Sequence, residues 1–370
     1  MTRRQGASSP GPVYERGLRV AILYSTLSGY TAACQRALKE FYDAELMVIY
    51  WPVSGEAPYS EAILQPIDHA IDKSRLTRAT LRENLERFKP QIALLAGWMD
   101  RDYLWAGRFL RKAGVTVVAG TDTQWSGSLR QRLGQLVAPW YLHRAIDALW
   151  VAGERQRQLA WRLGYRGLRC FEGYYSADWD LFEGVREERP KPPPSTFLFV
   201  GRYLSRKGLD VLVDAYRLYR KRTAQPWKLV TAGTGPLADL LRDEAGVEDR
   251  GFVQPENLPP LMREAGGFIL PSRREPWGVA LHEAAAAGLP LICSDNVGAG
   301  VHLLREGYNG YLFRRGSVWE LAQAMERLST LSEAAWADMS ARSYELSRQY
   351  TPRRWARQLV EGVRALKQTE

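Results

Sequence analysis

Cysteine, histidine and long apolar runs are all scarce in this chain of 370 residues. The three cysteines, Cys34, Cys170 and Cys293, lie far apart and lack metal-ligand spacing, which indicates a reducing cytosol and argues against a structural zinc site. No apolar run approaches the length of about 18 residues that crosses a bilayer, so no membrane span is predicted. The first 16 residues are polar and rich in proline and glycine, and they predict a loose tail rather than a signal peptide.

The length and the apolar content predict two domains of the α/β class. The chain exceeds the roughly 100 to 200 residues of a typical single core, and 45% hydrophobic residues with 13 Trp and 18 Tyr suffice for two cores. Short apolar segments alternate with helical stretches, which predicts parallel sheets with helices on both faces. The predicted strands are 18–24, 45–50, 91–96, 116–119 and 148–152 in the first half, and 196–200, 228–231 and 289–293 in the second.

Residues 271–288, PSRREPWGVALHEAAAAG, form the most informative stretch of the chain. Glu275 lies in a loop that contains proline and glycine, a helix is predicted over 279–287, and Glu283 falls about one turn inside that helix. The free amides of a helix N-terminus attract an anion such as a phosphate. Two carboxylates beside that anion can accept hydrogen bonds from hydroxyls on either side of it, which is the layout of a nucleotide sugar. The alternative is an alanine-rich core helix with a solvated glutamate.

This stretch resembles the signature of the retaining glycosyltransferases of family 4, which have the GT-B fold of two facing Rossmann-like domains. Neighbouring segments follow in the order that the family requires. Strand 196–200 leads to Gly201 and Arg202, with Lys207 five positions further on, and strand 228–231 leads to Gly233. The resemblance is specific over about 196–313 and weaker over 18–190.

The resemblance implies a role for each matching residue. Arg202 and Lys207 would stabilise the departing diphosphate, Glu283 would bind the ribose, and Glu275 would bind the donor sugar. The acceptor hydroxyl would attack on the face that the leaving group vacates, with a diphosphate oxygen as the proton acceptor. The implied donor-binding residues are Gly29, Gly201, Gly233, Val253, Pro276, Trp277, Gly278, Val279 and Glu283, and the implied catalytic residues are Glu275, Arg202, Lys207 and Asp122.

The N-terminal half departs from the family where many members carry a His-Asp pair. Thr121 stands in the place of that histidine, and none of the four histidines of the chain falls at a predicted strand end in this half. Asp122 is therefore the polar candidate for contact with the donor sugar or the acceptor, with helix capping as the alternative. Gly29 corresponds to the family's glycine-rich loop facing the diphosphate, although ordinary turn geometry would also explain a glycine there.

The net charge of +10 is concentrated in residues 127–169, where eight arginines are interleaved with tryptophan and tyrosine. This pattern suits an anionic membrane surface, and some members of the family act on lipid-linked acceptors; solvated helix faces are the alternative. No nucleic-acid recognition motif accompanies the charge, so no nucleic-acid partner is expected. Two Asp-x-Asp triplets, at 100–102 and 178–180, are weak evidence for a metal site. Because cations for the diphosphate are already present, we expect neither a metal nor another cofactor.

These observations predict a flexible tail at 1–17, an acceptor-side domain at 18–190, a donor-binding domain at 191–345, and a helix within 346–370 that crosses back onto the first domain. The predicted activity is retaining, metal-independent transfer of a hexose-type sugar from a nucleoside-diphosphate sugar to a lipid-linked or glycan acceptor, in cell-surface polysaccharide or glycolipid synthesis. The predicted location is the cytoplasm, with docking on the inner face of the membrane. Two alternatives stay open: a GT-B relative that epimerises or hydrolyses the nucleotide sugar, and a non-catalytic subunit that binds it.

Overall fold

The computed structural model describes residues 17–52 and 61–368. The tail predicted at the N-terminus lies outside these residues apart from Gly17. Two parallel sheets make up the described chain, one in each half, as the alternation of strands and helices predicts.

The first sheet has seven strands in the order β3-β2-β1-β4-β5-β6-β7. Every pairing in it is parallel. Its inner strands are almost wholly apolar and buried, as parallel strands covered on both faces must be. Its strands are β1 Arg19–Tyr24, β2 Glu45–Tyr50, β3 His69–Asp72, β4 Ile92–Leu95, β5 Thr116–Thr121, β6 Ala148–Val151 and β7 Cys170–Glu172.

The second sheet has six strands in the order β10-β9-β8-β11-β12-β13. Numbered within each domain, both sheets follow the order 3-2-1-4-5-6 of a Rossmann fold, and the first sheet adds a seventh strand. In this fold, ligands bind where the strand order reverses, beyond the carboxyl ends of the first and fourth strands. The strands are β8 Thr196–Val200, β9 Lys228–Ala232, β10 Val247–Asp249, β11 Gly267–Leu270, β12 Leu291–Ser294 and β13 Gly310–Phe313.

Helices cover both faces of the two sheets. Many begin at a serine, threonine or aspartate whose side chain accepts a first-turn amide, which satisfies a donor that the helix itself leaves free. The first domain carries α1 Gly29–Tyr42, α2 Arg78–Phe88, α3 Arg101–Lys112, α4 Leu129–Tyr141 and α5 Glu154–Arg162. The remaining helices are α6 Trp179–Phe182, α7 Leu209–Arg222, α8 Leu258–Arg263, α9 Val279–Ala286, α10 Gly300–Leu303, α11 Val318–Ser329, α12 Glu333–Ser347 and α13 Pro352–Lys367.

The chain passes between the two cores twice. The first sheet ends at Glu172, whereas the side chains of Trp179 and Phe182 already pack in the core of the second sheet. Helix α12 packs on α9 of the second domain, and α13 then returns to the first domain, where Trp355 and Leu359 join its core and the helix packs on α1. The predicted C-terminal helix that crosses back is thereby confirmed. The apolar residues of α13 recur at every third or fourth position, so they form one face of the helix. This face is buried because it packs on the helices that cover the first sheet.

Candidate functional site

A cavity of about 520 Å³ lies between the carboxyl ends of the two sheets. The first domain contributes the turn 26–30 after β1 and Asp122 after β5, while the second contributes the loops that follow β8, β9 and β11. Parallel strands bring such loops to one edge, and two facing sheets enclose the space between their edges. The cavity therefore forms at the reversal points of strand order in both domains.

Two cations lie in the loop after β8. Gly201 and Arg202 follow the strand directly, and Lys207 ends a short 3-10 turn before α7. Gly233, after β9, packs so tightly on this loop that a Cβ atom there would stand 1.9 Å from the carbonyl oxygen of Gly201. A glycine is therefore required for the two loops to approach each other beneath the cavity.

The loop after β11 contacts the cation loop through charged groups. Lys207 Nζ pairs with a carboxylate oxygen of Glu275, and Ser272 Oγ donates to the same oxygen at 3.2 Å. Arg273 forms two hydrogen bonds to the Asp210 carboxylate, at 2.6 and 2.7 Å, and also donates to the carbonyl of Ser205 at 2.8 Å. These contacts hold the carboxylate of Glu275, which is 7% exposed, beside the cation at the cavity wall.

Helix α9 directs its N-terminus at the same cavity. Gly278 is its N-cap at φ 104°, a left-handed conformation that favours glycine, and supplies no side-chain acceptor for the first-turn amides. Val279 and Ala280 line the cavity, so these amides are available to an anion there. Glu283 lies one turn further on, and burial raises its pKa from 4.5 to about 7, with the carboxylate of Asp178 adding to the rise.

Asp122 faces the cavity from the first domain. It follows β5, and its Oδ2 accepts a hydrogen bond from the hydroxyl of Tyr175 at 3.2 Å. Burial raises the pKa of Asp122, although the Tyr175 hydrogen bond opposes the rise. The described structure gives Asp122 no helix-capping hydrogen bond, and the nearest following helix, α4, is capped by Ser128. Its position thus fits a site residue better than a cap.

The cavity brings together all but one of the predicted site residues. Gly29, Asp122, Gly201, Arg202, Lys207, Gly233, Val253, Glu275, Trp277, Gly278, Val279 and Glu283 all line it. Pro276 does not, because its carbonyl is turned toward the side chain of Gln156 in the first domain, 2.7 Å away. The roles of these residues in binding and catalysis stay predictions.

Among the residues that sequence reasoning missed, two connect the domains at the site. Tyr175 lines the cavity and stacks on Trp277 with ring centroids 6.2 Å apart, and Gln156 bridges the two domains. Tyr175 lies in the irregular segment between β7 and α6, where no local pattern marks it as a site residue. Gln156 had no signal, because it is one of several polar residues on an amphipathic helix.

A second cavity, of about 970 Å³, opens beside the first and is lined by the N-terminal domain together with Arg274 of the second domain. The two cavities share Thr26, Tyr30, Asp122 and Tyr175 as a common wall. Apolar and polar side chains line the second cavity in about equal parts, and its cations are Arg101, Arg130 and Arg274. A ligand there would meet a ligand of the first cavity at Asp122.

The Asp-x-Asp triplets have structural roles in the described chain. Asp100 caps α3 by accepting the amides of residues 102 and 103, and Asp102 pairs with Lys73 and Arg78. Asp178 pairs with Arg36. Within residues 17–52 and 61–368, no three His, Cys, Asp or Glu side chains are grouped so that they could hold a metal ion.

The basic stretch 127–169 divides into inward and outward parts. Arg155 donates to the carbonyl of Asp295 across the domains, Arg157 pairs with Glu172, and Trp150 is fully buried. Helix α4, in contrast, exposes its apolar side chains and carries Arg130 and Arg132 with no acidic residue. The exposed fractions are 78% for Leu129, 63% for Leu133, 67% for Leu136, 51% for Val137 and 65% for Trp140.

Among the described residues, none of the helices is both long and apolar enough to cross a bilayer.

Comparison with known proteins agrees with this geometry. Residues 194–330 match the family model described as glycosyl transferases group 1. An uncharacterized glycosyltransferase of Methanocaldococcus jannaschii is 31% identical over 157 residues, which cover 40% of this chain and 39% of that protein. The glycogen synthase of Mycobacterium tuberculosis is 34% identical over 237 residues, or 61% of this chain and 55% of that protein. The chain thus spans about half the length of these relatives or less.

The whole fold matches solved structures at low identity. The crystal structure of Anabaena HepE in complex with UDP superposes with a TM-score of 0.74 and 16% identity, covering 94% of this chain and all of that one. Both sheets, their facing edges and the returning C-terminal helix belong to this GT-B arrangement, which confirms the predicted fold class. The family match covers the loops after β8, β9 and β11, so residues 194–330 are similar to the group 1 glycosyltransferases where they form the cavity.

Proposed function

We propose that the protein transfers a sugar from a nucleoside-diphosphate sugar to an acceptor hydroxyl. The observation that carries the proposal is the Lys207–Glu275 ion pair, placed with Arg202 beside the N-terminus of α9 in the cavity between the domains. A diphosphate requires cations and free amides, and a sugar requires a carboxylate within reach of its hydroxyls. Anabaena HepE, which has the same fold, was crystallised in complex with UDP and in complex with UDP-glucose. These complexes support a donor of this class.

The ion pair defines what donor binding would change. In the free protein, Lys207 and Glu275 neutralise each other. A bound diphosphate would give Lys207 a second anionic partner, and Glu275 could then accept a hydrogen bond from a sugar hydroxyl. Glu283, one turn into α9, would accept a hydrogen bond from the ribose. Preorganised positive charge of this kind stabilises a leaving diphosphate without reorganisation during the reaction.

We infer a retaining reaction that needs no metal. The bond between the anomeric carbon and the diphosphate oxygen breaks, and the acceptor oxygen bonds to the same carbon on the face that the diphosphate leaves. The acceptor proton passes to an oxygen of the departing nucleoside diphosphate. Arg202, Lys207 and the amides of α9 supply the positive charge that a metal would otherwise bring to that oxygen.

The acceptor would occupy the second cavity, since this cavity meets the first at Asp122. Its lining includes Arg130, Val137 and Tyr141 of α4, the helix that also carries the exposed side chains of Leu133, Leu136 and Trp140. An apolar helix face flanked by cations suits the surface of an anionic bilayer. We therefore propose a lipid-linked acceptor, reached by docking of α4 on the cytoplasmic face of a membrane during glycolipid or polysaccharide synthesis.

A screen of nucleotide sugars tests the proposal. UDP-, GDP- and ADP-sugars are incubated with the protein, with and without anionic vesicles that contain candidate lipid acceptors, and mass spectrometry follows nucleotide release and product formation. Nucleotide release coupled to a glycosylated product is the expected result. Failure of every nucleotide sugar and of every nucleoside diphosphate to bind, as measured by calorimetry, would refute the proposed donor site.

Hydrolysis of the nucleotide sugar is the second candidate, because Asp122 is a partly buried carboxyl at the wall between the cavities. A carboxylate in this place could activate a water molecule instead of meeting an acceptor. The same screen separates the two functions. Rapid nucleotide release with free sugar as the product, unchanged by any acceptor, would favour hydrolysis.

A further inference from the structure

The amide of Gln156 joins the two domains at the site. This side chain lies in the first turn of α5 and is 1% exposed. Its Nε2 donates to the carbonyl of Asp122 at 3.2 Å and to the carbonyl of Pro276 at 2.7 Å. Both partners are carbonyl oxygens, which only accept, so the two amide hydrogens are directed at residues that flank the cavity from opposite domains.

The same residues form a closed ring of contacts across the cleft. Pro276 precedes Trp277, whose ring stacks on Tyr175 with an interplanar angle of 25°. The hydroxyl of Tyr175 donates to Asp122 Oδ2. The carbonyl of Asp122 accepts from Gln156 Nε2, which closes the ring. The ring therefore fixes Asp122 at two points, its backbone through Gln156 and its carboxylate through Tyr175. Both anchors connect it to the loop that carries Glu275.

We propose that Gln156 and Tyr175 are positioning residues that set the carboxylate of Asp122 relative to the donor loop 275–278. Neither needs to touch the reacting atoms. When the ring is intact, the group from the first domain and the sugar-facing loop of the second move as one unit. This inference goes beyond the choice of substrate, although its kinetic test rests on the proposed function.

The chain offers a matched control on the same helix. Arg155 also links α5 to the second domain, since it donates to the carbonyl of Asp295 at 2.6 Å, and this hydrogen bond involves neither Asp122 nor the donor loop. Gln156→Met keeps the length of the side chain and removes both donors, and Arg155→Met removes a single interdomain hydrogen bond. The two variants thus separate positioning of Asp122 from general loosening of the domain contact.

The kinetic test uses the full chain and the nucleotide sugar found in the screen. Gln156→Met should lower kcat about 30- to 100-fold, as a misplacement of about 1 Å can, while KM for the donor stays within about threefold. Arg155→Met should retain kcat within about threefold of wild type. Equal losses in the two variants, or no loss in Gln156→Met, would overturn the proposal.

A second variant gives a readout that a merely structural role would not move. Tyr175→Phe removes a hydrogen bond that favours the ionised form of Asp122, so its pKa should rise and the acidic limb of the pH–rate profile should move to higher pH. A uniform loss of rate with an unmoved profile would contradict the positioning role of Tyr175.

Hydrogen exchange tests the ring without any activity. In Gln156→Met, amides of 119–123 and 275–278 should exchange faster together, whereas Arg155→Met should speed exchange only near 295–297. If no nucleotide sugar binds but this pattern appears, the ring is real and the proposed function is wrong. If donors bind and the pattern is absent, the function stands and the ring is wrong.

Discussion

The two domains share one strand order but contribute to the site in different ways. The second domain supplies three adjacent loops in which Arg202, Lys207 and Glu275 already contact one another or the same cavity. The first supplies a turn at Gly29 and a single carboxyl, Asp122, beside the larger second cavity. The family match likewise falls within 194–330, in the second half. A diphosphate demands a fixed set of charges, whereas an acceptor cavity can be shaped in many ways.

Removal of the cations should have the largest effect. Lys207→Ala or Arg202→Ala should lower turnover about 100- to 1,000-fold, because each removes preorganised charge from the leaving group. Arg206→Ala is the control, since this neighbouring cation is exposed and does not line the cavity. Steady-state kinetics measure the turnover, and circular dichroism confirms that each variant is folded. If Arg206→Ala loses as much activity as Lys207→Ala, the cations that line the cavity have no special role in the second domain.

The second prediction concerns the buried carboxyl of α9. Because burial raises the pKa of Glu283 to about 7, the folded protein binds more protons than the unfolded chain between pH 4.5 and 7. The free energy of unfolding should therefore fall as pH rises through this window, by on the order of 3 kcal/mol from this group. Glu283→Gln should remove that contribution, which urea titrations of both proteins at pH 5 and pH 8 would measure. If the free energy of unfolding depends on pH in the same way in the wild type and in Glu283→Gln, the prediction is wrong.

The third prediction tests the apolar character of the first domain. Simultaneous change of Leu133, Leu136 and Trp140 to Ser should weaken sedimentation with anionic vesicles about tenfold or more, because the side chains that would enter the interface are lost. Trp319→Ser, at an exposed tryptophan on α11, is the matched control and should bind as wild type does. Wild-type binding should weaken as salt shortens the screening length. Equal sedimentation of the wild type and both variants would rule out membrane docking through the exposed face of α4.

The smallest expected effect is that of metal removal. Turnover should persist in excess EDTA if, as we propose, side chains and helix amides supply the positive charge at the diphosphate. Asp100→Ala should leave donor binding unchanged and cost about 1 kcal/mol of stability, because Asp100 caps α3. Loss of activity in EDTA that Mg²⁺ or Mn²⁺ restores would show that the second domain lacks the charge attributed to it.

Local patterns made much of the second domain predictable. The loop around Glu275, the helix after it and the strand ending at Val200 each depend on neighbouring residues, so their chemistry is visible in a short stretch of sequence. Strands β3, β7, β10, β11 and β13 were not predicted. The first three are short strands at sheet edges with polar or half-exposed residues, and they lack the apolar run that marks an inner strand. Strands β11 and β13 have only four residues each and begin at a glycine, which weakens the local strand pattern.

The sequence by itself determined two α/β domains, the donor loops and the returning C-terminal helix, because strand burial, helix periodicity and charged motifs are properties of contiguous residues. Only the tertiary structure decided which arginines of 127–169 are held inside, that α4 exposes its apolar face, and that Gln156 and Tyr175 fix Asp122 to the opposite domain. Such contacts join residues as far as 140 positions apart. Their geometry exists only after two separately folded sheets face each other.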